Sequence, residues 1–247
     1  MKNKEIRKYW ENPSTESMYD KNLLEIEINS ILELLNENDR VVDLGCGEGE
    51  GTVKYHEKVK RLIAVDFSIS RLEKLRQKNS NIKSFQMDIR DISCERFHER
   101  FTKVITQRSL INLESFEEQK EVIKRIHSLL EDEGKYIMLE GFVGGTGKTN
   151  EIRKDFNLSS IEIKWHNLFF EKDELLEYTS KYFDLELSRD FSLYFFITRV
   201  FNAIINYPEI PKWDNAVNVL AKEMENKYKN SFIKGVSRLE LLVFRKK

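Results

Sequence analysis

Arg40-Val41-Val42-Asp43-Leu44-Gly45-Cys46-Gly47-Glu48-Gly49-Glu50-Gly51 is the stretch that decides the fold. A short apolar run ends in an acid, and glycine then recurs at every second position. This pattern predicts a buried strand over residues 40–44 that runs into a tight turn. Glycine lacks the Cβ that would keep a ligand away from the backbone, so the turn is expected to lie against a nucleotide-like molecule.

Outward from this stretch, strand-like and helix-like segments alternate. Strands are expected over 62–65, 82–87, 101–106 and 135–140, with helices over 50–58, from Ser68 or Ser70 through Lys78, and over 115–131. Such alternation implies a parallel sheet with helices on both faces. Ligands bind such sheets outside the carboxyl ends of the strands, where four consecutive strand ends would converge. On the N-terminal side, helices are expected over 4–11 and 19–37, broken at Asn12-Pro13-Ser14. After Gly141 the pattern changes. Residues 142–170 read as a glycine-rich loop, a short helix and an aromatic stretch, followed by a helix over 172–182 and a strand over 184–191. Residues 194–230 read as mostly helical with a break at 207–211, and 237–244 as a last strand. The organisation expected is one domain over 1–247, with a helical lid (1–37), a cofactor-binding core (38–141) and a cap insertion with late sheet elements (142–235).

Composition narrows the function. With 41 basic and 42 acidic residues among 247, the chain lacks the basic excess of proteins built to hold nucleic acid. Its two cysteines, Cys46 and Cys94, form no Cys-x-x-Cys pair, so zinc ribbons and thiol redox motifs are not expected. The charged start lacks the apolar run of a signal peptide, and no stretch approaches the roughly 20 apolar residues of a membrane span. A cytoplasmic location is the simplest expectation.

Two further acids define the ligand. Asp66 ends the second strand about 20 residues past the glycine turn, where an acid accepts hydrogen bonds from ribose hydroxyls. Asp88 follows the third strand, where an acid meets an exocyclic adenine amine. A dinucleotide would require Gly-x-Gly-x-x-Gly, but Gly45 and Gly47 lead to Glu50, and Gly47 and Gly49 lead to Thr52. Pyrophosphate also favours a helix N-terminus without carboxylates, whereas Asp43, Glu48 and Glu50 surround this turn. The acids suit a ligand carrying an ammonium or a sulfonium. A second glycine-rich stretch, Gly144-Gly145-Thr146-Gly147-Lys148-Thr149, ends like a phosphate-binding loop. Residue 142 is Phe where that motif needs glycine, so a mobile hinge is expected instead.

Val41-Val42-Asp43-Leu44-Gly45-Cys46-Gly47-Glu48-Gly49 resembles motif I of the class I S-adenosylmethionine-dependent methyltransferases. Ile63-Ala64-Val65-Asp66-Phe67-Ser68 and Gln86-Met87-Asp88-Ile89 resemble their second and third motifs, and the order holds over about residues 38–141. The resemblance implies a Rossmann-like α/β sheet of seven mostly parallel strands, the last antiparallel, with S-adenosylmethionine as cofactor and S-adenosylhomocysteine as product. It further implies that Gly45 and Gly47 pass beneath the methionine part and that Asp43 holds its ammonium. Asp66 would bind the ribose, Phe67 would lie against the adenine, and Asp88 would face the adenine amine with Ile89 as a backbone donor. Gln107 and Arg108 would lie near the sulfonium.

The loop after the fourth strand, Thr106-Gln107-Arg108-Ser109-Leu110-Ile111-Asn112-Leu113, lacks the Asn/Asp-Pro-Pro turn of base-methylating enzymes. It also lacks the carboxylate cluster of metal-dependent catechol enzymes. Neither nucleic acid, nor membrane, nor metal is expected. Arg-x-Leu-Ile-Asn-Leu, Asn150 to Arg153, Trp165-His166-Asn167 and Tyr-Trp-x-Asn-Pro at residues 9–13 are similar to a bacterial subgroup encoded with surface-polysaccharide genes. That resemblance implies O-methylation of a sugar or nucleotide-activated sugar. A phosphate-like oxygen or a small amine is an alternative acceptor, and a cofactor-binding protein without catalysis is another class. His166 is the candidate base, since an imidazole titrates near neutrality, although a histidine beside tryptophan is equally a packed core residue. Arg108 is the other candidate catalytic residue. Arg108, Arg153 and Arg199 are candidates to clamp an anionic group, with ion pairing between helices as the alternative. Tyr9, Trp10 and Tyr19 close over the cofactor or simply pack. Oligomeric state is left open.

Overall fold

The computed structural model describes residues 2–12, 14–16, 18–229 and 232–247, so the expected break at Pro13 lies outside the described residues. A seven-stranded sheet runs in the order β3-β2-β1-β4-β5-β7-β6. These strands are β1 (Arg40–Leu44), β2 (Arg61–Asp66), β3 (Lys83–Gln86), β4 (Phe101–Gln107), β5 (Leu130–Gly141), β6 (Phe183–Asp190) and β7 (Leu239–Lys246). The first five are parallel, while β7 lies antiparallel between β5 and β6. The expected class I fold, with its reversed last strand, is the fold observed.

Burial on both faces explains the continuous apolar runs of the central strands. Successive side chains point to opposite sides of the sheet. Val42, Leu44, Ile63, Val65 and Val104 thus enter one core, while Val41, Leu62, Ala64 and Ile105 enter the other. The flanking helices are α1 (Lys2–Glu11), α2 (Lys21–Leu32), α3 (Thr52–His56), α4 (Ile69–Lys78), the short α5 (Cys94–Phe97) and α6 (Phe116–Leu129). Later come α7 (Val143–Asp155), α8 (Lys172–Thr179), α9 (Ser192–Phe195), α10 (Asn202–Asn206) and α11 (Ala216–Lys227), with a π-helical turn, Phe196–Phe201, between α9 and α10. Helix starts carry side-chain caps where the sequence supplies them: the Asp20 carboxylate accepts from Leu23 N–H, and Ser115 Oγ from Glu118 N–H. None of the described helices is long and apolar enough to cross a membrane.

The chain departs from the sequence reading after β5. Residues 144–149 are not a hinge loop but the first turns of α7. Propensity is overridden there by packing. A Cβ on Gly145 would come within 1.7 Å of the Ser237 carbonyl oxygen, so only glycine lets this helix lie against the chain leading into β7. The Thr149 hydroxyl donates to the Val236 carbonyl at 2.6 Å and fixes the same approach. The helix expected over 172–182 ends at Thr179, and β5 begins at Leu130, five residues before the expected start, with a register irregularity opposite β4.

Strand order reverses between β1 and β4, which places a crevice at their carboxyl ends. Helix α1 lies along one side of that crevice. The buried Arg71 of α4 ties it down, donating to the carbonyls of Trp10 and Thr15, both at 2.9 Å, and stacking 4.9 Å from the Trp10 ring.

Candidate functional site

The crevice opens into a cavity of about 640 Å³. The candidate catalytic and cofactor-binding residues line it: Asp43, Gly45, Gly47, Asp66, Phe67, Asp88, Ile89, Gln107, Arg108, Tyr19 and His166.

The glycine loop owes its shape to backbone geometry. Gly45, Gly47 and Gly49 have φ of 79°, 53° and 78°, the left-handed region that side chains rarely adopt. A Cβ on Gly45 would strike Ser109 at 2.4 Å, whereas one on Gly47 would project into open space. The loop is pinned to β2 by Asp66, which accepts from Gly47 N–H at 2.8 Å and from Ser68 N–H at 2.9 Å. A carboxylate has about four lone-pair sites, so Asp66 keeps acceptor capacity for ribose hydroxyls.

Asp43 is buried and accepts from the Thr52 hydroxyl at 2.6 Å. Burial pushes its carboxyl up to about 6, and nearby Asp66 adds to the rise. Among the described residues no cation forms an ion pair with Asp43. Glu48 and Glu50, which the sequence placed beside it as further negative charge, are neutralised by Arg71, Lys74 and Lys78. The uncompensated charge of the turn is therefore concentrated on Asp43, next to Asp66.

Asp88 is engaged differently. It accepts from Arg90 through both oxygens and pairs with Arg7 of α1. Those guanidinium contacts hold its carboxyl down at about 2 despite partial burial. The Arg7 guanidinium also lies 5.1 Å from the centre of the Phe67 ring. Arg7 thus occupies the two surfaces where the sequence reading places adenine.

Past β4, Arg108 has φ of 51°, a conformation costly for a residue with a side chain. Its Nε lies 3.2 Å from Glu27, and a terminal amine donates to Met18 Sδ. Gln107 donates to Glu27 at 2.7 Å and accepts from the Tyr55 hydroxyl at 3.0 Å. The turn Leu110–Asn112 is held from β5, because Glu140 accepts from the N–H groups of Ser109, Leu110 and Ile111. Burial pushes Glu140 up to about 7.

His166 is buried within an aromatic group. It stacks on Tyr9 with centroids 4.5 Å apart, and meets Trp10 and Trp165 edge-on at 5.3 and 5.4 Å. Trp10 donates to Asn112 at 3.0 Å, which ties this group to the loop after β4. Burial, and then the Lys164 charge, lowers the imidazole to about 4. Its Nδ1 has no hydrogen-bond partner, so no carboxylate sets the tautomer. Tyr19 is half exposed at the cavity mouth, with Lys164 Nζ 5.0 Å from its ring centre. Arg199 pairs with buried Asp20 at 2.6 Å, and its guanidinium lies 4.2 Å from the centre of the Trp213 ring. Arg153 donates to the carbonyls of Ser159 and Arg199.

Sequence reasoning missed Glu27, Glu140 and Arg238. Glu27 lies on the buried face of α2, in helical register with Leu23 and Ile31, and Glu140 ends an apolar strand as Asp43 does; both patterns are visible signals. Arg238, which also lines the cavity, carries no local signal. Among the described residues no three His, Cys, Asp or Glu side chains gather into a metal-holding cluster.

Residues 41–134, from β1 into β5, match the methyltransferase domain family. The fold is similar to NodS, an N-methyltransferase from Bradyrhizobium japonicum in complex with S-adenosyl-L-homocysteine. Identity is 12% and the TM-score 0.59, over 99% of this chain and 98% of that one. It is also similar to magnesium protoporphyrin IX methyltransferase from Synechocystis with bound SAM, at 11% identity and a TM-score of 0.60, over 100% of this chain and 98% of that one. A TehB-like SAM-dependent methyltransferase from Corynebacterium glutamicum aligns at 13% identity and a TM-score of 0.56, over 90% of this chain and 88% of that one. Comparison with curated protein sequences returns no match. At such identities the structural likeness shows the fold alone. The domain match and the fold together make this protein a methyltransferase, and its cofactor is S-adenosylmethionine. The residues present fit that cofactor, because a buried carboxylate without a cation stands beside a glycine turn open enough for close approach.

Proposed function

We propose that the enzyme methylates a hydroxyl oxygen of a small molecule, a sugar or nucleotide-activated sugar. The observation that carries this reading is the charge of the cavity wall facing the glycine loop. Arg108, Arg153, Arg199 and Arg238 all line it. Such a wall repels a protonated amine acceptor and admits a neutral or anionic oxygen acceptor. The polysaccharide setting rests on the residue patterns at 9–13, 108–113, 150–153 and 165–167.

In this reading Asp43 holds the cofactor ammonium, while Gly45 and Gly47 let the methionine part pass close to the backbone. Asp66 takes the ribose hydroxyls with the lone pairs that the loop leaves free. Phe67 packs on the adenine, and Asp88 with the Ile89 N–H reads its edge once Arg7 yields the place. Tyr19 covers the cofactor from the mouth, and α1 with the rest of residues 1–37 acts as the lid. Gln107 and Arg108, fixed by buried Glu27, set the floor between cofactor and acceptor. When bound, S-adenosylmethionine supplies an activated methyl group, so the protein's work is chiefly positioning. His166 accepts the hydroxyl proton. Burial keeps the imidazole unprotonated throughout the neutral range, free to accept a proton but as a weaker base than an imidazole titrating near 6.5.

The test is a panel of free sugars, sugar phosphates and nucleotide sugars, with small amines beside them, scored by formation of S-adenosylhomocysteine. Turnover is expected with a hydroxyl-bearing sugar derivative. Turnover confined to amines contradicts the reading.

A further inference from the structure

The cationic wall is unevenly compensated. Arg108 faces Glu27, and Arg199 faces Asp20. Arg238 and Arg153 have no ion-pair partner among the described residues. Arg153 spends its donors on neutral carbonyls, those of Ser159 and Arg199. The Arg238 guanidinium rests 5.7 Å from the centre of the Phe169 ring, a face that stabilises a cation without neutralising it. Lys164 stands at the mouth, against Tyr19. Of the acids that line this half, Asp20 is buried but taken by Arg199, and Glu16, Glu162 and Glu209 are exposed.

The Arg238 position is built into the fold. β7 is inserted between β5 and β6, and the Arg238 carbonyl accepts from Phe142 N–H at 2.8 Å at the end of β5. This brings Arg238 to the same sheet edge as Glu140 and the loop after β4. Burial, with repulsion from Arg199 and Arg108, lowers Arg238 to about 10, and burial with Arg238 lowers Lys164. Guanidinium groups that repel one another, with only the charge of Glu27 to offset Arg238, are costly to hold unless a ligand supplies further counter-charge.

We propose that Arg238, together with Arg153 and Lys164, binds an oxyanion carried by the acceptor, a phosphate ester or a carboxylate, and that this group fixes which hydroxyl meets the methyl. The guanidinium fork suits either anion through paired N–H donors. The inference rests on the small-molecule O-methylation reading, because it takes this wall as the acceptor side. It does not require a sugar.

The experiment uses the full chain saturated with S-adenosylhomocysteine. Inorganic pyrophosphate and glucuronate are titrated by calorimetry at constant ionic strength, against wild type, Arg238→Gln, Arg238→Lys and Lys164→Gln. Wild type is expected to bind one of the two probes, and which one it binds separates a phosphate from a carboxylate source. Arg238→Gln should weaken that probe at least tenfold, Arg238→Lys should restore part of the loss, and Lys164→Gln should weaken it less. S-adenosylhomocysteine affinity should stay within twofold in every variant, which shows that the fold is intact. The proposal is overturned if wild type binds neither probe, or if Arg238→Gln binds as tightly as wild type. Anion binding with no turnover on any sugar would sink the sugar reading and leave the oxyanion site standing.

Discussion

The two walls of the cavity carry opposite charge. The wall made by the ends of β1, β2 and β3 presents Asp43, Asp66 and Asp88. The opposite wall, made by α7, the chain before α8, the π-helical turn and the start of β7, presents Arg153, Lys164, Arg199 and Arg238. Among the described residues Asp43 on one wall and Arg153 and Arg238 on the other form no ion pair, and buried charges without partners are costly. In the proposed function the first receives the cationic sulfonium and ammonium, and the second a neutral or anionic acceptor. His166 and the loop from Gln107 to Asn112 line the same cavity, where a methyl group would pass from one side to the other.

The sharpest way to break this division of labour is to remove the proposed base. His166→Ala is expected to lower kcat by about 10²–10⁴ while S-adenosylmethionine affinity stays near that of wild type. In wild type, with cofactor saturating, the acid limb of kcat/KM for the acceptor should fall near pH 4 rather than 6.5, because burial lowers the imidazole to about 4. Unchanged turnover in the variant leaves His166 as a packing residue beside Tyr9 and Trp10, whereas a limb near 6.5 in wild type means that burial does not lower its imidazole. A smaller effect is expected at Glu140. Glu140→Ala leaves three N–H groups at the start of the turn without an acceptor. The loss is about 2 kcal/mol, read by calorimetry as a fall in Tm of roughly 4–8 °C. The smallest effect concerns Arg7, which pairs with Asp88 across a partly exposed contact. Arg7→Ala should raise the association rate of S-adenosylmethionine up to about fivefold in stopped flow, since such pairs contribute at most about 1 kcal/mol. A slower association would make Arg7 a cofactor ligand instead.

The two walls also differ in how far the sequence reveals them. The acidic wall is local. Each acid ends or follows a strand of a regularly alternating run, so Asp43, Asp66 and Asp88 are readable from spacing alone. Even there, long-range pairing is hidden, because nothing near Glu48 or Asp88 announces Arg71 or Arg7. The cationic wall is assembled from distant segments. Arg238 reaches it only because β7 inserts beside β5, and a lone arginine before a strand gives no periodic signal. Helix α7 misleads for a related reason. Its glycines read as a loop, whereas Gly145 is required by the Ser237 carbonyl lying against it.

If Asp43 holds the cofactor ammonium, cofactor binding must depend on pH. The Asp43 carboxyl is raised to about 6, so it is ionised above that pH and protonated below it. Binding an ammonium below pH 6 must first expel the proton, which weakens affinity as pH falls. Calorimetric titration of S-adenosylmethionine between pH 5 and 8, in wild type and Asp43→Asn, separates this effect from the cofactor's own titration, which both proteins share. The expected result is an affinity that drops below about pH 6 in wild type, with an Asp43→Asn variant weaker by about 10- to 100-fold at pH 8 and lacking that drop. Equal affinities at pH 8, or the same profile in both proteins, would contradict that role of Asp43.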